Sequence, residues 1–258
     1  DPGGSGPMQP QPWRNHFRGT AAHNTVLVDG LDQSLLVGAR HVGRTARATL
    51  LHRAVEPALE HATAMHDGYR RGRGGVIHRR SIVAAQAGWY VIRDRVAGEG
   101  EHTVQLLLHF APGSAVELAA GGRARVVLPQ GQRLAIAVAT GPGPERAWDQ
   151  ELVEGRHDPL LGWANPMSGT IVPAPVLEFR ATAATGPWDL AFVIAPGADG
   201  PVTAELDPIG EPRASDGPGQ SADATPEPPP IALRVTVDGV TTRLVLGADV
   251  AISGLVAS

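Results

Sequence analysis

Read for its hydrophobic and polar positions, the chain breaks into short segments rich in Val, Ile, Leu and Thr, separated by Gly, Pro or Asp. Their recurrence roughly every ten to fifteen residues is the spacing expected of sheets. The pattern predicts strands beginning with Thr25–Val28, Thr45–Val55 and Leu59–Met65. Further strands are expected at Val76–Ala84, Trp89–Arg93, Thr103–Phe110, Arg123–Leu128 and Arg133–Ala139. Val176–Thr182, Leu190–Ile194, Ile231–Val237 and Val240–Leu246 complete the set. No long stretch keeps a helical period with capping residues at its ends. The chain reads as all-β.

The last two segments show the periodicity most plainly. Ile231, Leu233, Val235 and Val237 alternate with Ala232, Arg234 and Thr236, so one face is apolar. After Asp238-Gly239, Val240, Thr242, Leu244 and Leu246 alternate with Thr241 and Arg243. An Asp-Gly link of this length suits a type I′ turn, whose positive φ angles glycine tolerates, and predicts a hairpin. Between Pro208 and Pro230 the composition shifts to Pro, Gly, Ser, Asp and Glu, ending in Pro228-Pro229-Pro230. So few apolar groups cannot offset the entropy of ordering, which predicts a disordered surface loop at 208–230. The segment after Pro230 reads as a hairpin too small to stand alone, so residues 1–258 are one domain.

Size and composition agree. A chain of 258 residues with 42% hydrophobic side chains can bury a core without disulfide or metal support. Mean hydropathy is −0.08, and no apolar run approaches the length that spans a bilayer. Cysteine is absent, which removes thiolate chemistry. All 22 basic residues are arginine, a bias that genome composition explains and that would also suit bidentate recognition of carboxylate or sulfate. The net charge of −4 argues against a nucleic-acid partner. The start at Asp1, with neither initiator Met nor signal peptide, suggests a fragment or processed product. The compartment stays open, a periplasmic or secreted one being favoured over the cytoplasm.

The most distinctive stretch is Arg14–Gln33, reading RNHFRGTAAHNTVLVDGLDQ. With Arg18, Thr20, His23, Asn24, Thr25, Val28, Asp29, Gly30, Asp32 and Gln33, it resembles the signature of the heparinase II/III-like polysaccharide lyases. Further blocks come in that family's order: His66-Asp67-Gly68-Tyr69, His78-Arg79-Arg80, Tyr90-Val91-Ile92-Arg93-Asp94, His102 and His109-Phe110-Ala111-Pro112. Gly162-Trp163 and Pro166 come next, so the resemblance runs roughly from Asp1 to Pro196. It implies an α/α toroid followed by a large antiparallel β-sandwich of the super-sandwich type, with only the sandwich in this chain. The missing N-terminal toroid would be its partner and would supply a catalytic Tyr and an Asn or His. A further catalytic His would lie upstream of Asp1.

The resemblance also implies a structural zinc held by an upstream His, the Asp of Asp1-Pro2-Gly3, and His23. Imidazole nitrogen and carboxylate oxygen are proper zinc donors. The plainer reading makes His23 a packing residue on a strand and Asp1 a frayed terminus. Arg14 and Arg18 are candidates to pair with a substrate carboxylate, or else an arginine here is buried against Asp29 or Asp32. Tyr69 and Tyr90 read as structural, ring packed and hydroxyl tied off. His78 and Arg80 share one face of their strand, and His102 and His109, seven apart, face opposite ways. No carboxylate pair flanks a bond as in a glycoside hydrolase, and no phosphate loop or nucleophile elbow is present.

Two functions are open. One is the sandwich part of a lyase acting on an anionic polysaccharide, a uronate-containing glycan such as a glycosaminoglycan or alginate, by β-elimination. In that reading the chain alone is inactive. The other is a non-catalytic module that binds carbohydrate or buttresses a neighbour, since sandwiches host many functions.

Overall fold

A computed structural model describes residue 3 and residues 10–38, 41–141, 148–167, 169–198, 200–208, 231–246 and 250–256. At its centre is an antiparallel sheet of eight strands. From edge to edge these are Ala48–Val55, Leu59–His66, Ile77–Ala85, Tyr90–Ala97, Trp188–Pro196, Arg133–Thr140, Arg123–Val127 and Ala115–Ala119. One face carries a four-stranded sheet in the order Val26–Val28, Glu101–His109, Val176–Thr185 and Asp149–Val153. The other carries Thr203–Pro208, Ile231–Val237, Val240–Leu246 and Val250–Val256. The all-β sandwich expected from the sequence is therefore built as three stacked sheets.

Alternation along single strands explains the stacking. In Trp188–Pro196, Trp188, Leu190 and Phe192 enter the core shared with Leu106, Leu177 and Phe179 of the first covering sheet. Ala191, Val193 and Ala195 enter the opposite core, against Leu206, Leu233 and Leu244. A strand buried on both faces reads as an unbroken apolar run, as Leu190–Ile194 does.

The final hairpin forms as expected, with Val237 opposite Val240 and positive φ at both Asp238 (49°) and Gly239 (81°). It is not an appendage, however. Thr203–Pro208 and Val250–Val256 flank it and complete a sheet, because the apolar face of the central sheet needs a broader cover than two strands. The expected loop over 208–230 starts at a residue that ends a strand, and 209–230 lie outside the described residues.

A thinner layer rests on the outer side of the Val26–Val28 sheet. It holds α1 (Gln11–Arg18), a 3-10 turn at Thr20–Ala22 and two hairpins drawn from 156–173. Ala21 and Leu161 anchor it on Leu107, Val153 and Val176, which point away from the main core. This layer carries the Arg14–Gln33 signature. No helix among the described residues is long and apolar enough to cross a membrane.

Candidate functional site in the outer layer

Proline at the N-cap (Pro10) and in the first turn (Pro12) presets the backbone of α1 where amide donors have no helical partner. Arg18 in the last turn complements the helix dipole. Helical spacing puts Trp13 and Phe17 on one face and Arg14 and Arg18 on the neighbouring stripe. Arg18 donates to the carbonyls of Gly38 (3.2 Å) and His41 (3.2 Å), so its guanidinium ties these two residues together. Arg14, half-buried, sits one turn before it. The arginine held beside Asp32 is Arg71, which donates to the carbonyls of Asp32, Gln33 (2.6 Å) and Gly68 (2.6 Å).

Much of the signature is a hydrogen-bonded lock. Asp32 accepts from the Thr20 amide (2.6 Å), and the Thr20 hydroxyl accepts from the Gln33 amide (2.8 Å). Gly19 passes so close that a Cβ would lie 3.0 Å from the Asp32 carboxylate and 3.1 Å from the Asn15 carbonyl oxygen. Asn24 accepts from the His109 amide through its side chain (2.6 Å) and from Arg80 through its carbonyl (2.6 Å). Asp29, at φ 52°, accepts from the Thr103 amide (2.9 Å) and meets His102 Nδ1 (2.7 Å).

His23 lies in the bend after the 3-10 turn, not on the strand that begins at Val26; its backbone is extended (φ −128°, ψ 159°). Its amide must reach back to close the turn on Thr20, which delays the strand. Burial lowers its pKa, with the Phe17 carbonyl and Asp32 pulling the other way. His16 and His109 are its electrostatic neighbours. Burial, reinforced by His23, lowers His16 to about 4. His109 is also lowered to about 4 by burial, although its Nε2 lies 3.1 Å from the Ala21 carbonyl oxygen and bonds to it. The layer thus presents neutral imidazoles at pH 7, the form that accepts a proton or ligates a metal. Among the described residues, no three His, Cys, Asp or Glu side chains converge as a metal cage. Asp1 lies outside the described residues. Gly3, at φ 84°, abuts the Asn165 carbonyl oxygen so closely that a Cβ would come within 2.2 Å.

Neither tyrosine is placed for proton transfer here. Tyr69 is 1% exposed, its hydroxyl donates to the Val26 carbonyl (2.6 Å), and burial pushes the phenol above its ordinary range. Tyr90 departs from the expected packed ring: it is 44% exposed.

Sequence reasoning missed two groupings. One is a relay on the central sheet. The Gly68 amide donates to His66 Nδ1 (3.2 Å), so His66 must donate from Nε2 to His78 Nδ1 (3.0 Å). His78 then donates from Nε2 to Asp94 (2.7 Å), whose two oxygens also accept a fork from Arg80 (2.7 and 2.8 Å). The shared face of His78 and Arg80 was legible; Asp94, 14 to 16 residues on, needed the strand register. The other is an aromatic corner. Trp13 meets Trp163 at 5.1 Å and His157 at 6.1 Å, through contacts that join α1 to the 156–173 hairpins. Two recesses lie elsewhere, one beside Arg125 and Arg133, the other beside Trp89 and Val240.

Fold and outer layer together define a triple-sheet β-sandwich domain that carries histidines and arginines on a helical cap. The family model described as heparinase II/III-like, C-terminal, matches residues 1–171, and the chain belongs to that family. No curated protein matches it. Among solved structures, it is similar to the heparan sulfate lyase HepC from Pedobacter heparinus: TM-score 0.63, 14% identity, 92% of this chain and 32% of that one. It is also similar to the heparinase III-BT4657 gene product (TM-score 0.65, 16% identity, 95% and 33%). A crystal structure of heparinase III gives TM-score 0.63 and 16% identity over 93% and 32%. At such identities the likeness shows the fold, and the chain spans about a third of those structures' length.

Proposed function

We propose that this chain is the β-sandwich part of a polysaccharide lyase that opens uronate-containing glycans, glycosaminoglycans or alginate, by β-elimination. The observation that carries the reading is the family match over residues 1–171, which takes in α1 and the bend after it, with Arg14, His16, Arg18 and His23. In β-elimination a base removes the C5 proton of the uronate. Charge growing on the carboxylate is offset, and an acid protonates the departing glycosidic oxygen. Arg14 and the neutral histidines of the cap suit a wall of such a cleft, giving positive charge toward the carboxylate and imidazoles that can hold a proton. With the Tyr69 hydroxyl committed to Val26, the acid comes from outside these residues, in a toroidal domain that completes the cleft.

A structural zinc belongs to the same proposal. His23 is half-buried and neutral, as a ligand must be, and Asp1 with an upstream His would complete the set. Bound there, the ion would tie the N-terminal segment to the cap.

Absorbance of the unsaturated uronate product tests the reading. Purified 1–258 should release none from heparan sulfate, heparin, hyaluronan or alginate. A polypeptide that joins it to its upstream coding sequence should turn over at least one of them. Turnover by 1–258 alone, or none by the longer polypeptide, would overturn the proposal. For the zinc, His23→Ala in the longer polypeptide should lower metal content and melting temperature together.

A further inference from the structure

We infer that Trp13, Trp163 and His157 form a subsite on which one pyranose ring of a glycan stacks, beside the arginine stripe of α1. The inference rests on the proposed glycan-cleaving function and adds a place and a mode of contact.

Tryptophan elsewhere in the chain serves the core: Trp89 is 7% and Trp188 2% exposed, and Trp148, though partly exposed, packs against the core under the first covering sheet. Trp13 and Trp163 are different. Both are partly exposed, His157 is exposed, and none belongs to the apolar clusters of the three stacked sheets or the cap. Their rings nonetheless converge. Trp13 stands at 78° to Trp163 and at 72° to His157, while His157 and Trp163 lie 4.8 Å apart at 55°. Phe17, 3% exposed, stacks on Trp13 at 6.2 Å and 20° and fixes it from the helix side. The Trp163 indole nitrogen donates to the Arg156 carbonyl (2.8 Å), which sets that ring without using its face.

Rings set nearly at right angles make a corner, not a flat patch. The π faces are negative and the ring edges positive, so such a corner favours C–H groups presented edge-on. A pyranose offers one face of axial C–H bonds and a rim of hydroxyls. The rim would meet charged neighbours: Arg14 on the next stripe of α1, and Arg156, 25% exposed and paired with Glu151 at 3.1 Å and Glu178 at 3.3 Å. A sugar chain satisfies both the rings and the rim.

Tryptophan emission of the 258-residue chain, titrated with a hexasaccharide of alternating glucuronate and N-acetylglucosamine, tests this at low and at high sodium chloride. The wild type should show a saturable change. His157→Ala, at an exposed position, should weaken binding roughly threefold and Trp13→Leu roughly tenfold, as expected for loss of aromatic contacts. Because stacking is not screened by ions, each factor should be the same at both salt concentrations. Binding that is unchanged in both variants overturns the subsite and leaves the lyase reading to its own turnover test. The subsite is equally overturned if the wild type does not bind the hexasaccharide. If Trp13→Leu does not fold, His157→Ala decides alone.

Discussion

At the scale of single residues, the relay from His66 to Asp94 governs how the fold answers acid. Burial first, then the neighbouring His78, lowers His66 to about 4, so the folded state keeps it neutral after the unfolded chain has begun to take up a proton near 6.5. Stability is therefore full above 6.5 and falls as pH drops toward 4. A shift of that size is worth about 3 kcal/mol. His16 and His109 have the same sign and window. Asp94 acts lower down. Burial alone would raise it, but Arg80 and the hydrogen bond from His78 win and bring it to about 2. Its contribution is present above the unfolded value of 3.8 and is lost only as pH falls through 2. Urea unfolding at pH 7, 5.5 and 4.5 checks the upper window: His66→Gln should cut the acid loss by about a third, because one of three such histidines is removed. Asp94→Asn should cost about 3 kcal/mol at pH 7, since it leaves Arg80 and His78 without their shared carboxylate.

At the scale of elements, most strands could be read directly, because alternation with period two survives wherever one face is buried. Leu59–Met65 and Leu190–Ile194 lie inside observed strands, as does all but the first residue of Val76–Ala84. What escaped was short or edge-on. The helix Gln11–Arg18 spans two turns, too few for a period to show. The edge strands Ala115–Ala119 and Thr203–Pro208 lack a run of large apolar residues. The Asp238-Gly239 turn was legible because its chemistry is local, and it supports a measurable expectation. A Cβ at Gly239 meets nothing within 4 Å, so Gly239→Ala pays only for positive φ and should lose about 1 kcal/mol by thermal or urea melts. Gly74→Ala should cost several times more. It also has positive φ, and its Cβ would lie 2.0 Å from the Glu99 carbonyl oxygen. Equal losses at the two sites would contradict the packing around Gly74.

At the scale of the whole molecule, the family match ends at 171 but the fold cannot. Val176–Thr185 pairs with Glu101–His109, and Trp188–Pro196 joins Tyr90–Ala97 to Arg133–Thr140 in the middle of the central sheet. A chain ending at 171 should be insoluble, because both inner strands are gone. One ending at 198 should keep the core around Leu106 and Phe192 but bare Val83, Val91 and Val193, which the last sheet covers. It should bind a hydrophobic dye and melt well below the full chain, as a large apolar face left in water requires. A 1–198 chain that melts with the full protein would show the final sheet to be an independent unit.

The sequence alone determined the β class, the strands buried on at least one face, the last hairpin and the family signature. Each depends on periodicity, on turn chemistry or on residues close together in the chain. Tertiary structure alone decided that the sandwich has three sheets, that Arg18 ties Gly38 to His41, and that Arg71 takes the place beside Asp32. It also decided that Trp13 meets His157 across 144 positions. Such contacts follow from how sheets stack and which hairpins fold back over them. Two residues brought together in that way carry no mark of each other in the stretch of chain where either one stands.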